Sequence, residues 1–490
     1  MTAREMPQLT LFCASHVWGT RAFPGRSERL NMRILMVHDN GWTNKGPHQH
    51  HHLMEKLSAK GHEVVVVEYD HLWRTKSAST KSPRVAGERV RTGVRRFYDN
   101  ADITCVSPPF IKVPLLDYLS LAATFRRQIK QEIQRFRPDV IVGFTGVISP
   151  FWGAMLAEEN HIPYIDYWLD ATDQLVPEAF LRPFARMIQR GTLTKATMVL
   201  TINETLREYV IQLGADPSTT QVLPGGVDLR TFDPAATDSQ RMRDKYGLGK
   251  DDLVLFFMGW IYDFAGLQEA VLELARYREA RPDLKLLIVG EGEFYPRLQE
   301  IVRENHVEES VVFTGKVPYT EIPELIAAAD VALLPAHDNE IMRNAVPIKI
   351  YEYLAMHKPT ICTKLSGIMR EFGHNCGILY IEKPDDAVGV AANLTCEDVQ
   401  TLKMQAKQFI EDYDWDKITA RFEGTLTSLV EASHQAASPS KGIQKDLLRP
   451  ARELVRKPDE TTHVGSKRFP VHLGAMLKKF VPFRRNEISR

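Results

Sequence analysis

Continuous apolar runs alternate with helical stretches twice along this chain, and this alternation constrains the fold more than any other feature. The run MRILMVH, from Met32, is apolar as expected for a strand that is buried on both faces. The loop DNGWTNKG follows, and then a helix that is predicted to start near Pro47 and to end at Lys60 and Gly61. Five further strands are predicted: HEVVVVEY, DVIVGF (139–144), HIPYIDY (161–167), TMVLTIN (197–203) and QVLPGGVD (221–228). Parallel strands with helical crossovers make a doubly wound sheet.

The same order of elements starts again after a polar segment. DLVLFFMGW (252–260) predicts a strand, and LQEAVLELARYREARP predicts an amphipathic helix that ends at Pro282. The strands LKLLIVGEG, VVFTGKV, ADVALLPA and PTICTK continue the series. The segment DPAATDSQRMRDKYGLGKDD, punctuated by Pro and Gly, predicts an interdomain linker. The expected fold is therefore α/β, with two Rossmann-like domains that face a cleft and ligands at the carboxyl ends of the strands.

The length of 490 residues exceeds one ordinary core and suits two domains with additions. Residues 1–31 carry little pattern and are predicted to be a disordered extension. An N-terminal domain is predicted for 32–235, a C-terminal domain for 236–415, a helix for 416–435 and a basic tail, disordered or helical, for 436–490. Basic and acidic residues number 62 each, but from Lys441 onward there are 13 basic and five acidic residues.

Cysteine usage and hydropathy indicate a cytoplasmic protein. The five cysteines are scattered, odd in number and form no C-x-x-C pair, which is typical of reduced thiols rather than of disulfides or a zinc site. No apolar run approaches the ~18 residues that a spanning helix needs. The N-terminus lacks the pattern of a signal peptide.

Four histidines within residues 48–52 raise the question of a metal site. His48, His51 and His52 are spaced to share a helix face, as in some zinc sites, but no HExxH and no nearby third ligand accompany them. We therefore expect packing or loop-lining histidines and no bound metal. The turn before them is more informative, because Gly46 and Pro47 place a helix N-terminus after a strand, which suits an anionic or polar ligand.

The stretch DNEIMRNAVPIKIYEYLAMHKPTICT (338–363) predicts a second and richer site. Pro347 suits the start of a helix, and Lys349 and Glu352 then lie on one helix face, either as a surface ion pair or as a site. Arg343 adds a cation just before this helix. A helix N-terminus with Arg and Lys suits a diphosphate, and a carboxylate one turn further suits ribose hydroxyls.

An ordered set of motifs now resembles the retaining glycosyltransferases of family 4, which have the GT-B fold. The motifs, over roughly residues 32–430, are the early Gly loop followed by GHEV, VLPGGVDLRTFDP, FMGWIYDFAGL, LLIVGEGEFYPRL, VVFTGKVPYTEIPELIAAADVALLP and PIKIYEYLAMHKP. The resemblance implies a nucleotide-sugar donor that is bound mainly by the C-terminal domain. It implies a ribose contact for Glu352 and diphosphate contacts for Lys349 and Arg343. It also implies donor contacts for Gly46, Gly259 and Val317.

Several positions depart from the family pattern. Asn344 stands where the first of two glutamates is common, and it retains hydrogen-bonding capacity toward sugar hydroxyls. Trp260 and Ala265 stand where an Arg and a Lys are common, so Arg343 with Lys349 is expected to compensate. Trp260 is either a donor contact or a packing residue at the cleft rim. No histidine follows the strand that ends at Phe144, which leaves Asp166 and Asp170 as candidates for handling the acceptor, or as capping carboxylates.

The expected reaction transfers a glycosyl group to a hydroxyl with retention, without a metal or another cofactor. The basic segments 73–97, 117–136 and 472–485 are either solvated faces or contacts to an anionic membrane, where a lipid-linked acceptor or a precursor of a surface polysaccharide or glycolipid would be found. No nucleic-acid partner is predicted. The alternatives are a non-catalytic sugar-nucleotide-binding or scaffold protein of the same fold, and a sugar-nucleotide epimerase.

Overall fold

Two parallel β-sheets, each covered by helices on both faces, organise the chain. The computed structural model describes residues 31–39, 41–42, 48–69, 85–174, 176, 178–339, 342–343 and 345–437. These residues belong to one compact unit that ends at Ala437. The predictions for Gly46, Asn344, residues 1–30 and the basic tail fall outside the described residues.

The first sheet has eight strands in the order β10-β9-β8-β7-β1-β2-β5-β4, all parallel except the edge strand β4. The strands of this lobe are β1 (Arg33–His38), β2 (Glu63–Val67), β3 (Val85–Ala86), β4 (Arg89–Val94), β5 (Ile103–Ser107), β6 (Phe110–Ile111), β7 (Val140–Phe144), β8 (Tyr164–Trp168), β9 (Met198–Thr201) and β10 (Thr220–Val222), of which β3 and β6 form a separate antiparallel pair. Its helices are α1 (Gln49–Ala59), α2 (Leu116–Phe136), α3 (Ile148–Glu159), α4 (Arg182–Leu193) and α5 (Glu204–Leu213).

Strand β1 shows why its sequence is apolar throughout. Leu35 and Val37 pack in the core that α2 and α3 cover, whereas Ile34 and Met36 pack in the core that α1 covers on the opposite face. Successive side chains of a strand point to opposite faces, so a central strand between two helical layers needs apolar residues at every position.

The second sheet has six parallel strands in the order β13-β12-β11-β14-β15-β16. They are β11 (Leu253–Met258), β12 (Leu284–Val289), β13 (Val311–Gly315), β14 (Val331–Leu334), β15 (Thr360–Thr363) and β16 (Ile378–Ile381). The helices are α6 (Ser239–Tyr246), α7 (Leu267–Tyr277), α8 (Tyr295–Glu304), α9 (Ile322–Ala328), α10 (Ile348–Ala355), α11 (Ser366–Phe372), α12 (Ala387–Ala392) and α13 (Cys396–Ile410). The strand order reverses between β11 and β14, and ligands of doubly wound folds bind at such a switch point.

The final helix, α14 (Trp415–Ala437), returns from the second lobe to the first. Trp415 and Phe422 are fully buried in the core beneath β1. The ring of His52 on α1 stacks on Trp415 with centroids 4.9 Å apart and an interplanar angle of 8°. The Lys56 ammonium pairs with the Asp416 carboxylate at 2.6 Å. The first lobe is therefore completed by the end of the described chain.

The structure shows secondary structure in two segments for which the sequence predicted none. The segment expected to be a linker contains α6, because the Asp238 side chain accepts a hydrogen bond from the Arg241 amide at 3.1 Å and Gly247 ends the helix in the left-handed region. The basic segment 73–97 contains the edge strand β4, whose alternation is polar because one edge strand faces solvent. The predicted basic helix at 117–136 is confirmed as α2.

Among the described residues, no helix combines the length and apolarity that crossing a bilayer requires.

Candidate active site

Glycine turns at the carboxyl ends of β11 and β12 form the floor of the candidate site. Gly259 and Gly290 have φ angles of +130° and +131°, which residues with a side chain rarely adopt. A Cβ on Gly290 would lie 2.0 Å from the carbonyl oxygen of Gly259, so the two turns pack backbone against backbone. The site at this edge therefore has a rigid backbone floor without side chains of its own.

Lys349, in the first turn of α10, extends across this floor. A Cβ on Gly259 would lie 2.5 Å from its Nζ atom, and Nζ lies 4.4 Å from the centroid of the Phe257 ring. Desolvation lowers the pKa of Lys349 to about 8, although the charge of Glu352 opposes the shift. Within the described part of the chain, this ammonium makes no hydrogen bond or ion pair. The Phe257 ring offsets part of the cost of enclosing this cation, and an anionic ligand would supply the counter-charge that the described residues do not.

Glu352 lies one turn further along α10 and is buried. The Tyr319 hydroxyl donates a hydrogen bond to its Oε1 atom at 2.6 Å. Burial raises the pKa of Glu352 to about 7, whereas the Tyr319 hydrogen bond and the Lys349 charge lower it. Tyr319 also contacts the first lobe, because its ring lies 6.2 Å from that of Phe97. The carboxylate is thus held in a polar pocket that reaches the junction between the lobes.

Tyr319 was missed by the sequence reasoning. It follows the strand end Thr314-Gly315 by four residues, in the same segment as Val317, which is half-buried against the second core. A tyrosine that reaches a buried glutamate 33 residues away gives no local sequence pattern, since only the fold brings the turn after β13 to α10.

Arg343 occupies the loop before α10 but is more exposed than Lys349. Its Nε atom donates to Asp338 at 3.0 Å, and its carbonyl accepts from the Gly367 amide at 2.7 Å. The structure thus brings Arg343 to the same loop as the start of α10, with its guanidinium paired to an acidic neighbour.

Trp260 follows Gly259 directly and is 47% exposed. Its indole N–H donates to the carboxylate of Glu293 at 2.5 Å. The Trp260 ring lies 6.4 Å from that of Tyr262, which in turn stacks on Phe264 at 4.7 Å. Ala265 is buried. The positions where the resembling family has two cations therefore hold one exposed aromatic residue and one core residue.

The two candidate acidic residues of the first lobe have different surroundings. Asp166 is buried, and its carboxylate accepts hydrogen bonds from the Trp168 indole at 2.7 Å and the Tyr164 hydroxyl at 3.2 Å. Burial raises the pKa of Asp166 to about 6. Asp170 lies exposed after the end of β8. We therefore assign Asp166 to core packing, and Asp170 alone is placed on the open carboxyl edge of the sheet.

A helix N-terminus of the first lobe is already occupied by a carboxylate. Asp39, directly after β1, accepts hydrogen bonds from the amides of Val147, Ile148 and Ser149 at 2.7–2.9 Å. These amides start α3, and an anion is stabilised at such a position. At the switch point of the first sheet, between β1 and β7, the positive N-terminus of α3 is therefore already paired with a carboxylate of this chain.

The histidines of α1 are buried and do not face solvent. His51 accepts a hydrogen bond from the His48 amide at 3.2 Å through Nδ1, and its Nε2 atom lies 2.7 Å from the Trp42 carbonyl, which together fit a neutral ring. Desolvation lowers the pKa of His51 and of His52 to about 3. No group of three His, Cys, Asp or Glu residues suited to a metal ion occurs among the described residues.

Two family matches cover most of the described chain. The family described as "Glycosyl transferase 4-like domain" matches residues 46–226, and the family described as "Glycosyl transferases group 1" matches residues 238–408.

Individual relatives and structures agree with these matches. TuaC of Bacillus subtilis, which is named as a glycosyltransferase of teichuronic acid biosynthesis, is 26% identical over 53% of this chain and 61% of its own length. A GDP-mannose-dependent phosphatidylinositol monomannoside mannosyltransferase of Mycolicibacterium smegmatis is 32% identical over 31% of this chain and 40% of its own length. This chain therefore spans less than two thirds of these two relatives. The crystal structure of Anabaena HepE in complex with UDP is 17% identical, covers 81% of this chain and all of that chain, and has a TM-score of 0.59.

Proposed function

We propose the function of this chain from one premise: it belongs to the family 4 glycosyltransferases, which have the GT-B fold. The chain transfers a glycosyl group from a nucleotide sugar to a hydroxyl acceptor, with retention at the anomeric carbon. The nucleotide lies against the second lobe, and the acceptor enters from the first lobe.

The observation that carries this proposal is the enclosed ammonium of Lys349 above the Gly259 turn. In our proposal, the diphosphate of the donor binds next to this ammonium, which forms no ion pair with the described residues. Negative charge grows on the diphosphate as the glycosidic bond to it breaks. A preorganised cation at that point stabilises the transition state more than the ground state, which is the usual origin of a large catalytic effect.

In this proposal, the Glu352 carboxylate binds the hydroxyls of the donor ribose. A carboxylate accepts hydrogen bonds from vicinal hydroxyls, as acidic residues do in other doubly wound nucleotide sites. The ribose hydroxyls replace the Tyr319 hydroxyl, which donates to Glu352 in the structure. Val317 borders the base, and Arg343 and Trp260 border the diphosphate and sugar. Gly46 and Asn344, outside the described residues, keep their expected roles toward the donor.

The acceptor hydroxyl is proposed to attack the anomeric carbon on the face of the sugar from which the nucleoside diphosphate departs, and to give its proton to the departing phosphate oxygen. Asp170 positions the acceptor from the open edge of the first sheet. No metal and no other cofactor takes part in the proposed reaction, because Lys349, Arg343 and the start of α10 supply the positive charge. Closure of the lobes excludes water and limits hydrolysis of the donor.

We extend the proposal to a lipid-linked acceptor, or a precursor of a surface polysaccharide or glycolipid, at the inner face of the cytoplasmic membrane. The basic segments of the sequence motivate this extension, and a phosphatidylinositol-linked acceptor in the name of one relative supports it.

Thermal shift with nucleoside diphosphates tests the donor site. A nucleotide that binds only the folded chain stabilises it by about 2.7 kcal/mol at a hundredfold excess over its dissociation constant. Lys349→Ala and Glu352→Gln should each remove most of this shift. Lys285→Ala is the matched control, because that lysine lies at the amino end of β12, on the opposite edge of the sheet, and donates to the Glu309 carbonyl at 3.0 Å.

Transfer or hydrolysis of a nucleotide sugar by the purified chain tests catalysis. Loss of the Lys349 cation should lower kcat by about 10²–10³. A chain that binds nucleotide but releases no sugar would be the non-catalytic alternative. Trp260 and Ala265 favour that alternative, because they replace two cations of the family pattern. Interconversion of two nucleotide sugars without an acceptor would identify an epimerase.

A further inference from the structure

Three large apolar side chains lie exposed at the start of α4. Phe180 is 71% exposed, Phe184 59% and Met187 58%. The single-turn helix Ala179–Leu181 leads directly into α4, and spacings of four and three residues place the three side chains on one side. Such a cluster is unusual on a surface that contacts only water, which indicates that this side of α4 meets a partner.

Arginines lie beside this apolar strip. Arg182, Arg186 and Arg190 are exposed and follow each other at intervals of four residues. Residues 179–195 contain four basic residues and no acidic residue. Arg186 lies 3.7 Å from the carboxylate of Asp173, so part of its charge is used within the lobe. On the helix, Arg190 and Arg186 lie along one flank of this strip and Arg182 lies further round. An apolar strip with a basic flank is typical of a helix that lies in the surface of an anionic bilayer.

The start of α2 continues the same surface. Leu115, Leu116 and Leu119 are 45%, 48% and 66% exposed. The Tyr118 hydroxyl donates to the Glu178 carboxylate at 3.0 Å, which ties the start of α2 to the residue before the α4 segment. The docking face, as we name it, therefore consists of Leu115, Leu116, Leu119, Phe180, Phe184 and Met187.

The topology places the docking face on the acceptor side of the cleft. Helices α2 and α4 lead into the parallel strands β7 and β9, so both begin at the carboxyl edge of the first sheet. That edge is where ligands of such a sheet bind.

We propose that the docking face seats the chain on an anionic lipid bilayer, so that a lipid-linked acceptor enters the first lobe from the bilayer surface. The statement about the acceptor rests on the proposed function, whereas the docking does not. The apolar side chains enter the boundary between headgroups and acyl chains, and the arginines contact the anionic headgroups. A protein partner or a second copy would also cover the apolar strip, but residues 179–195, with four basic residues and no acidic residue, complement anionic lipid more directly.

Sedimentation of the full chain with vesicles tests the docking face. Vesicles of phosphatidylcholine with phosphatidylglycerol should bind the chain, and vesicles of phosphatidylcholine alone should bind it more weakly. The triple variant Phe180→Ser, Phe184→Ser, Met187→Ser should bind anionic vesicles at least tenfold more weakly. The double variant Arg182→Gln, Arg190→Gln should lose about fivefold per arginine at low salt.

The matched control removes exposed apolar side chains from the second lobe. Leu272 and Met404 are 36% and 65% exposed, and Leu272→Ser with Met404→Ser should leave vesicle binding unchanged. An unchanged midpoint of thermal unfolding, measured without ligand, shows that each variant is folded, independently of the vesicles and of nucleotide binding.

Three results would overturn the docking. The full chain could fail to bind anionic vesicles, or the triple variant could bind them as the unaltered chain does. Alternatively, the triple variant could convert a dimer into a monomer in the absence of lipid, which would make a second copy the occupant. Vesicle binding with the expected losses, in a chain that binds no nucleoside diphosphate, would support the docking and refute the proposed donor site.

Discussion

The ammonium of Lys349 and that of Lys358 are both enclosed, and desolvation lowers the pKa of each to about 8. Their surroundings nevertheless differ. Lys358 donates to the carbonyls of Ala327 and Ala329 at 3.0 Å and 2.6 Å, which is a structural role at the end of α9. Lys349 has no such acceptor among the described residues, and it lies above a glycine turn. The two lysines are similarly enclosed but differ in function. The Lys358 ammonium is already hydrogen-bonded within the chain, whereas the Lys349 ammonium can still bind a ligand.

Nucleoside diphosphate affinity should weaken as the pH rises through about 8. Lys349 carries its charge only below its pKa of about 8, and the diphosphate stabilises the charged form, so the midpoint shifts upward in the complex. Calorimetric titration from about pH 7 to about pH 9.5 measures this dependence. Lys349→Arg, which stays charged, should bind with a flatter pH profile. An unaltered chain whose affinity is constant over this range would contradict the assignment.

At the scale of an element, the ends of β11 and β12 approach so closely that a side chain does not fit between them. Glycine is therefore required at both turns. Gly290→Ala should destabilise the chain by about 1–3 kcal/mol in denaturant unfolding, since its φ is +131° and its Cβ would meet the Gly259 carbonyl. Gly424→Ala is the matched control. It lies within α14 with open space around the added Cβ, so this replacement should stabilise by about 0.5–1 kcal/mol. Equal effects at both positions would refute the close approach of the two turns.

Helix α1 makes the first lobe sensitive to acid. The pKa of His50 is lowered well below its ordinary value by burial, and the pKa of His51 and of His52 is lowered to about 3. In the unfolded chain all three rings take up protons near pH 6.5. In the folded chain His51 and His52 stay neutral until about pH 3, and burial keeps His50 neutral well below pH 6.5. The unfolded state thus binds more protons in this window, and stability falls as the pH falls from about 6.5 toward 3.

The corresponding experiment follows thermal unfolding between those pH values. His50→Phe should reduce the acid sensitivity, because both ring nitrogens of His50 lack hydrogen-bond partners among the described residues and phenylalanine cannot be protonated. His374→Phe, at an exposed loop position of the second lobe, should leave the slope unchanged. An unchanged slope in the His50 variant would locate the acid sensitivity elsewhere.

At the scale of the whole molecule, the two lobes depend on one another because the chain crosses between them twice. The first crossing follows β10, and the second brings α14 back beneath β1. Val227 and Tyr413 lie at the two crossings, where the Val227 amide donates to the Tyr413 carbonyl at 2.9 Å. A lobe that is completed by α14 cannot fold fully before that helix is present.

Phe422→Ala should destabilise the first lobe by about 3–5 kcal/mol, although residue 422 lies 200 residues beyond the end of β10. The side chain is fully buried, and its removal leaves a cavity in the core that β1 and α1 share. Hydrogen exchange should show faster opening of β1 and β7 in this variant. Met404→Ala, on an exposed face of α13, is the control and should change stability little. Loss of protection confined to the second lobe would contradict the packing of α14.

The sequence by itself determined the two-lobe α/β fold, because strands that are buried on both faces must be apolar at every position and helices between them must be amphipathic. Motif order likewise predicted the turn of Gly259 and the placement of Lys349 and Glu352 on one helix. Only the tertiary structure decided which polar residue meets which partner. Tyr319 covers Glu352, Asp39 occupies the start of α3, and Asp166 is enclosed by Tyr164 and Trp168. The reason is physical: periodicity records which side of an element faces the core, whereas pairing between distant elements, burial and the resulting pKa depend on distances that exist only after folding.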